Sequence, residues 1–200
     1  MTPDSLPPPE ILPMPDADVR LYSNFFSPAE SDRLFQTLKD EIAWKQENAR
    51  FGGKSVPLPR LTAWYGDAGK SYSYSGITVH PTPWTPALIE IKTRVESVAN
   101  ATFNSVLLNY YRDGRDSVAW HSDDERELGL NPVIASVSFG AARDFQFKHK
   151  TNPDLRQKVT LTHGSLLLMT GATQHFWKHQ IPKTKRPLDG RINLTFRVIT

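Results

Sequence analysis

FNSVLLNYYR (103–112), SVAWH (117–121), VIASVSF (133–139), RDFQFKH (143–149), KVTLT (158–162), SLLLM (165–169) and RINLTFRVI (191–199) fill the second half of this 200-residue chain. These short runs are rich in β-branched and aromatic residues, which pack well on a pleated surface, so they read as strands. Asp113-Gly114, Gly140, His163-Gly164 and Asp189-Gly190 punctuate them at turn-like intervals. Successive short strands joined by tight turns point to a mainly antiparallel sandwich or barrel, not to βαβ units.

Upstream the pattern changes to helix. Ser27-Pro28-Ala29-Glu30 carries a capping serine, a proline suited to the first turn and the glutamate of a capping box, and Leu34, Phe35, Leu38 and Ile42 follow as a buried stripe. A second helix begins after Thr85 with Pro86 at its first position, its stripe being Leu88, Ile91, Val95 and Val98. Six of the 16 prolines fall in the first 15 residues. Proline fixes φ and removes hydrogen-bond donors, so residues 1–16 are expected to be an extended or disordered extension outside the fold. Residues 17–200 are then one domain, with helices in 17–102 and the β core in 103–200.

Composition removes several chemistries. The chain has no cysteine, hence no disulfide, thiolate nucleophile or thiolate-held metal, and any metal must be held by His, Asp or Glu. Its apolar runs are far shorter than the ~20 residues of a membrane-spanning helix. The N-terminus has neither the basic segment nor the apolar run of a secretory signal, so a cytoplasmic location, or a nuclear one in a eukaryote, is expected without membrane association. A monomer is expected. Charge is unevenly placed: residues 1–142 hold 13 Lys and Arg against 18 Asp and Glu, whereas 143–200 hold 11 against 3. A concentrated basic segment suits a polyanion such as nucleic acid, and equally a solvated basic face.

One constellation carries chemistry. In Trp120-His121-Ser122-Asp123 the His and Asp are two apart, so on a strand or at its end they share a face and can share one ion. His179, 58 residues later, is the best third ligand, with His175 as its rival. Two His and one carboxylate leave positions open on iron for O2 and a chelating co-substrate. Arg191 and Arg197, six apart on an apparent strand, face the same way. Two inward guanidinium groups match the carboxylates of a dicarboxylate.

These residues sit in a longer pattern: PRLTAWYGDAG (59–69), YSYSGIT (72–78), LNYYRDG (108–114), WHSDDERELG (120–129), PVIASVSFGAARDFQF (132–147), HGSLLLM (163–169), GATQHFWKHQIP (171–182) and RINLTFR (191–197). From about Pro59 to Thr200 the chain resembles the AlkB family of Fe(II)- and 2-oxoglutarate-dependent nucleic-acid dealkylases, in particular the animal members that repair alkylated DNA. The resemblance implies a double-stranded β-helix, or jelly roll, with helices on one side. It also implies a nucleotide-recognition region within 17–102.

By that resemblance His121, Asp123 and His179 hold the iron, His179 being favoured over His175 because the family's ligand comes just before Ile-Pro. Asn109, Tyr111, Arg191, Asn193 and Arg197 match the 2-oxoglutarate positions: Arg191 and Tyr111 at the distal carboxylate, Arg197 and Asn109 near the metal-bound end. Tyr74, where the duplex-repair relatives have Phe, matches an aromatic that stacks on the base, with the His121 imidazole opposite. Tyr72, Asp124 and Glu125 match pocket positions, and Arg60 one near the lesion or its backbone. The implied reaction is oxidative demethylation of 1-methyladenine and 3-methylcytosine in DNA, with RNA as a further substrate, using Fe(II), 2-oxoglutarate and O2 and releasing formaldehyde. An oxygenase acting on a protein or small molecule is the alternative. The relatives place an apolar finger before the Pro-Arg pair; here the stretch is Arg50-Phe51-Gly52-Gly53-Lys54, and Phe51 is the candidate wedge.

Overall fold

The computed structural model describes residues 6–69, 72–74, 77–79 and 81–200; for Arg50, Phe51, 72–74 and 77–79 it describes the backbone alone. In chain order the elements are β1 (Glu10–Ile11), β2 (Asp18–Tyr22), α1 (Pro28–Glu41), β3 (Asn48–Phe51), β4 (Lys54–Pro57), β5 (Leu61–Gly66), β6 (Tyr72–Tyr74), β7 (Ile77–Val79), α2 (Pro86–Ala99) and β8 (Ser105–Tyr111). Then come β9 (Val118–His121), β10 (Ile134–Gly140), β11 (Arg143–His149), β12 (Arg156–Leu161), β13 (Ser165–Thr170), α3 (Thr173–Phe176), β14 (Trp177–Ile181) and β15 (Arg191–Arg197).

A seven-stranded sheet runs β1-β2-β13-β10-β15-β8-β5, and a four-stranded sheet runs β12-β11-β14-β9. The chain passes back and forth between them: β8, β10, β13 and β15 lie in the larger sheet, β9, β11, β12 and β14 in the smaller. All their pairings are antiparallel. This is the jelly roll.

Two-residue periodicity then sorts the side chains of the larger sheet between two layers. Val106 and Leu108 of β8, Ala135, Val137 and Phe139 of β10, Leu166 and Leu168 of β13, and Ile192, Leu194 and Phe196 of β15 pack with Leu34, Leu38, Leu88, Ile91 and Val95 of the two helices. The alternate residues face into the roll. There β13 supplies Leu167 and Met169 to a second core with Phe145, Phe147 and Trp177 of the smaller sheet, but β8, β10 and β15 supply Asn109, Ser136, Ser138, Arg191, Asn193 and Thr195, all buried. A buried polar stripe of this kind costs free energy unless it is used.

Helix α1 begins as its sequence demands. The Ser27 backbone N–H donates to Glu30 Oε2 at 2.8 Å and the Ser27 hydroxyl accepts from the Glu30 backbone N–H at 3.4 Å, closing the capping box, with Pro28 at the first turn. Thr85 caps α2, and Asn100 ends it in the left-handed region.

Two expectations need correction. Residues 6–16 of the proline-rich start are not apart from the fold: β1 pairs with β2, Leu12 and Met14 are buried in the second core, and the Trp177 indole N–H donates to the Pro15 carbonyl at 2.8 Å. Proline cannot donate to a ladder, yet it leaves neighbouring apolar side chains free to pack. Nor does the β structure begin at Phe103. β2 pairs with β13 and β5 with β8, so the larger sheet takes flanking strands from the N-terminal half. No helix among the described residues is long and apolar enough to cross a membrane.

Candidate metal centre and co-substrate pocket

His121 ends β9, Asp123 follows two residues later, and His179 lies opposite His121 in the β9–β14 ladder. Each offers a ligand atom, and these atoms all lie within 4.8 Å of one another. Asp123 and His179 are buried, while His121 remains partly exposed at the rim. His175, the rival third ligand, stands on α3, outside this group and exposed, so strand parity does not govern its direction.

Burial lowers the His179 imidazole to about 3, which leaves it neutral at physiological pH, the form that coordinates a metal. Burial alone would raise Asp123; the charge of Arg197, whose Nη2 donates to Asp123 Oδ1 at 2.8 Å, together with His179 and His121 outweighs it and holds the carboxyl below its ordinary value. The His121 Nδ1 lies 2.8 Å from the Ala119 carbonyl oxygen, so Nδ1 carries the proton and Nε2 is left for a ligand.

β8 and β15 place the rest. Register sets Arg191 opposite Tyr111 and Asn193 opposite Asn109. Arg191 is 1% exposed; its guanidinium lies over the Tyr111 ring at 5.1 Å and its Nη2 donates to Ser138 Oγ at 2.8 Å. Its Nε and Nη1, and the Nε of Arg197, are buried and have no hydrogen-bond partner among the described residues. Burial pulls Arg191 down to about 10, still protonated at neutral pH. A buried cation with unspent donors is what an anionic ligand would satisfy. Asn193 donates to Ser136 Oγ and the Val137 carbonyl.

Arg60, matched to a position near the lesion or its backbone, bonds toward the co-substrate residues: its Nε donates to Asn109 Oδ1 at 2.8 Å and its Nη1 to the Ser117 carbonyl at 3.2 Å. Asp124 accepts from Lys150 Nζ at 2.8 Å, which occupies one of its oxygens. Glu125 keeps solvent access, yet loss of surrounding water and then the charge of Asp123 hold its carboxyl above the ordinary value. The side chains of Tyr72, Tyr74 and Phe51 lie outside the described residues. Their backbones form β6 of the β6–β7 hairpin and the end of β3, where Phe51 pairs with Lys54 across Gly52 and Gly53. Both glycines have positive φ, +54° and +80°, as a two-residue hairpin turn requires.

Sequence reasoning passed over Ser136, Ser138, Arg143 and Gln174. The serines left a signal, two small polar residues at alternate positions of an otherwise apolar buried strand. Arg143 is 3% exposed, its guanidinium lies 5.6 Å from the centre of the Tyr111 ring, and it donates to the Asp116 and Pro182 carbonyls. Nothing in its local sequence distinguishes it from a surface arginine.

Residues 18–197 match the profile of the 2OG-Fe(II) oxygenase superfamily. The mouse alpha-ketoglutarate-dependent dioxygenase alkB homolog 3 is 46% identical over 190 residues, covering 90% of this chain and 66% of that protein. The chain therefore spans slightly less than two thirds of that relative. The human DNA oxidative demethylase ALKBH2 is 45% identical over 188 residues, covering 89% of this chain and 72% of the relative. A solved structure described as that of OsALKBH1 superposes with a TM-score of 0.69 at 18% identity, covering 96% of this chain and all of the other; it supports the fold. The residues present fit the two groups in the superfamily's description. The His-Asp-His set suits iron, and the unsatisfied donors of Arg191 and Arg197 suit a dicarboxylate. The chain belongs to the 2OG-Fe(II) oxygenase superfamily and, within it, to the AlkB family.

Proposed function

We propose that this protein removes N-methyl groups from 1-methyladenine and 3-methylcytosine in DNA, with RNA as a further substrate, as an Fe(II)- and 2-oxoglutarate-dependent dioxygenase. The observation that carries the reading is the pairing of a compact His121, Asp123 and His179 set with a buried Arg191 whose Nε and Nη1 are unspent, both inside one roll. Names given to relatives add support: one at 45% identity is called a DNA oxidative demethylase.

In this reading His121, Asp123 and His179 hold the iron. Arg191 and Tyr111 take the distal carboxylate of 2-oxoglutarate, and Asn109, Asn193 and Arg197 line its remainder. When bound, the metal and co-substrate supply O2 activation coupled to decarboxylation, so that the N-methyl carbon is hydroxylated and leaves as formaldehyde.

The protein's own work is binding and exclusion. The roll's apolar second core keeps water from the buried ligands, and Arg197 holds Asp123 ionised. A target base must leave its stack to reach such a recessed site. Tyr74 and the rim-exposed His121 would sandwich it, with Tyr72, Asp124 and Glu125 at its edge; a carboxylate there also attracts the cationic ring of these lesions. Arg60 orients Asn109 and so links the base side to the co-substrate side. Phe51, beside the tight turn of the β3–β4 hairpin, would fill the gap left by the extruded base.

The test is incubation of the Fe(II)-loaded protein with 2-oxoglutarate and oligonucleotides bearing one 1-methyladenine or 3-methylcytosine, followed by mass analysis. Loss of one methylene mass equivalent per lesion is expected. No loss on any DNA or RNA, with 2-oxoglutarate still consumed when peptides or metabolites are supplied, would move the protein to a different substrate class.

A further inference from the structure

Asp123 is only 2% exposed, yet the β9–β14 ladder ends before it. β9 is a four-residue edge strand whose register with β14 shifts between His179 and Ile181. The chain beyond His121 is held by side chains. Ser122 Oγ donates to the Trp177 carbonyl at 3.0 Å, and the Asp123 backbone N–H donates to Gln174 Oε1 at 2.9 Å. Lys150 Nζ donates both to Asp124 Oδ2 and to the Gln174 backbone carbonyl, each at 2.8 Å.

Gln174 sits on α3 and is 1% exposed. Only its amide oxygen can accept the Asp123 N–H, so its NH2 is turned toward Met169 Sδ, at 3.5 Å. Sulfur is a weak acceptor, and a buried amide with a weak partner is costly. A leucine or methionine would satisfy packing here without that cost. The distinctive service of glutamine is to fix the backbone from which the Asp123 carboxylate projects.

We propose that Gln174, assisted by Lys150, is a positioning residue that presents Asp123 to the metal, making metal affinity depend on α3. The inference rests on the assignment of His121, Asp123 and His179 as the metal set. Groups that orient a metal ligand are typically worth about 10–100-fold in affinity.

Co(II), which reports its coordination through visible d–d absorption, can be titrated into the full chain and its Gln174→Met, Gln174→Glu, Lys150→Met, Asp124→Asn and Asp123→Ala variants. Gln174→Met keeps volume and loses the acceptor; an affinity loss of about tenfold with an altered d–d band is expected. Gln174→Glu restores the acceptor and should recover most of it. Lys150→Met, which loses both contacts, should weaken binding by up to about fivefold, Asp124→Asn by less, and the double variant no more than Lys150→Met, because the Asp124 contact is already lost with Lys150. Unchanged Co(II) affinity and spectrum in Gln174→Met would overturn the proposal, as would equal losses in the Met and Glu variants, which would assign the effect to packing. If Gln174→Met does not fold, additive effects or no effects in the Lys150 and Asp124 variants overturn it instead. Undiminished binding by Asp123→Ala would show that the metal set, and not the clasp alone, is misassigned.

Discussion

β15 and β9 both deliver side chains to the site, and they are held in opposite ways. β15 runs inside the seven-stranded sheet, laddered to β10 on one side and β8 on the other along nearly its whole length. The positions of Arg191, Asn193 and Arg197 follow from that register, since a one-residue slip would turn every one of them toward the helices. β9 has one neighbour, a register shift and a ligand beyond its end. The co-substrate side is set by backbone; on the metal side the two histidines are laddered, and Asp123 is held by side-chain contacts. Damage to one side should therefore read out differently from damage to the other.

The largest effect is expected at the metal side. Asp123→Ala removes a proposed ligand and strips Arg197 of the carboxylate that it contacts at 2.8 Å. Turnover of a methylated oligonucleotide should fall to background, and retained activity would refute the metal assignment outright. Arg191→Met probes the other side. A charge-assisted pair is worth about 1.5–3 kcal/mol, so the KM for 2-oxoglutarate should rise by roughly 10–100-fold. Without co-substrate, the variant should melt at or above the wild-type temperature, because a buried cation with unsatisfied donors gives way to an apolar side chain. Thermal shifts with and without 2-oxoglutarate check both halves. A variant that loses stability in its absence, while keeping the wild-type KM, would make Arg191 a structural residue.

The same division explains what could be read in advance. Strands such as VIASVSF and RINLTFRVI announce themselves because β-branched and aromatic residues alternate with small or polar ones, and alternation also told which arginines share a face. The capping box at Ser27 and Glu30 is local chemistry, so it was legible without tertiary information. His121 and Asp123 could be paired from spacing, but preference for His179 over His175 came from the family motif; what removes His175 physically is α3, a four-residue helix too short to leave a periodic signature. Gln174, Lys150 and Arg143 were invisible for a related reason: each acts through contacts 24 to 51 residues away in sequence. β1 was missed because the proline content of residues 1–16 suggests an absence of structure, whereas Leu12 and Met14 pack between the prolines.

Two smaller effects sharpen the comparison by acting away from both strands. Phe51 stands next to the Gly52-Gly53 turn of a hairpin outside the two main sheets. Filling an unstacked gap by even ~1.4 kcal/mol makes tenfold in rate, so Phe51→Ala should lower repair of duplex DNA by about that factor and spare single strands. Equal losses on the two substrates would remove the wedge.

Glu30→Gln touches stability alone. Hydrogen bonds from Ser27, and then the Arg94 guanidinium, hold the Glu30 carboxyl at about 2, below its ordinary 4.5. A depressed carboxyl contributes stability that is fully present above pH 4.5 and is lost as pH falls toward 2. Glutamine keeps an acceptor oxygen for Ser27 but loses the charge, a difference of about 1 kcal/mol. The variant should thus unfold more readily than wild type at pH 7, and the gap should close between about pH 4.5 and 2 in denaturant titrations. Because α1 packs behind β10 and β15, with their register held by neighbouring ladders, Co(II) affinity at pH 7 should not change. A shift in metal affinity would mean that the helix layer reaches the metal side, and that the two sides are less independent than their ladders imply.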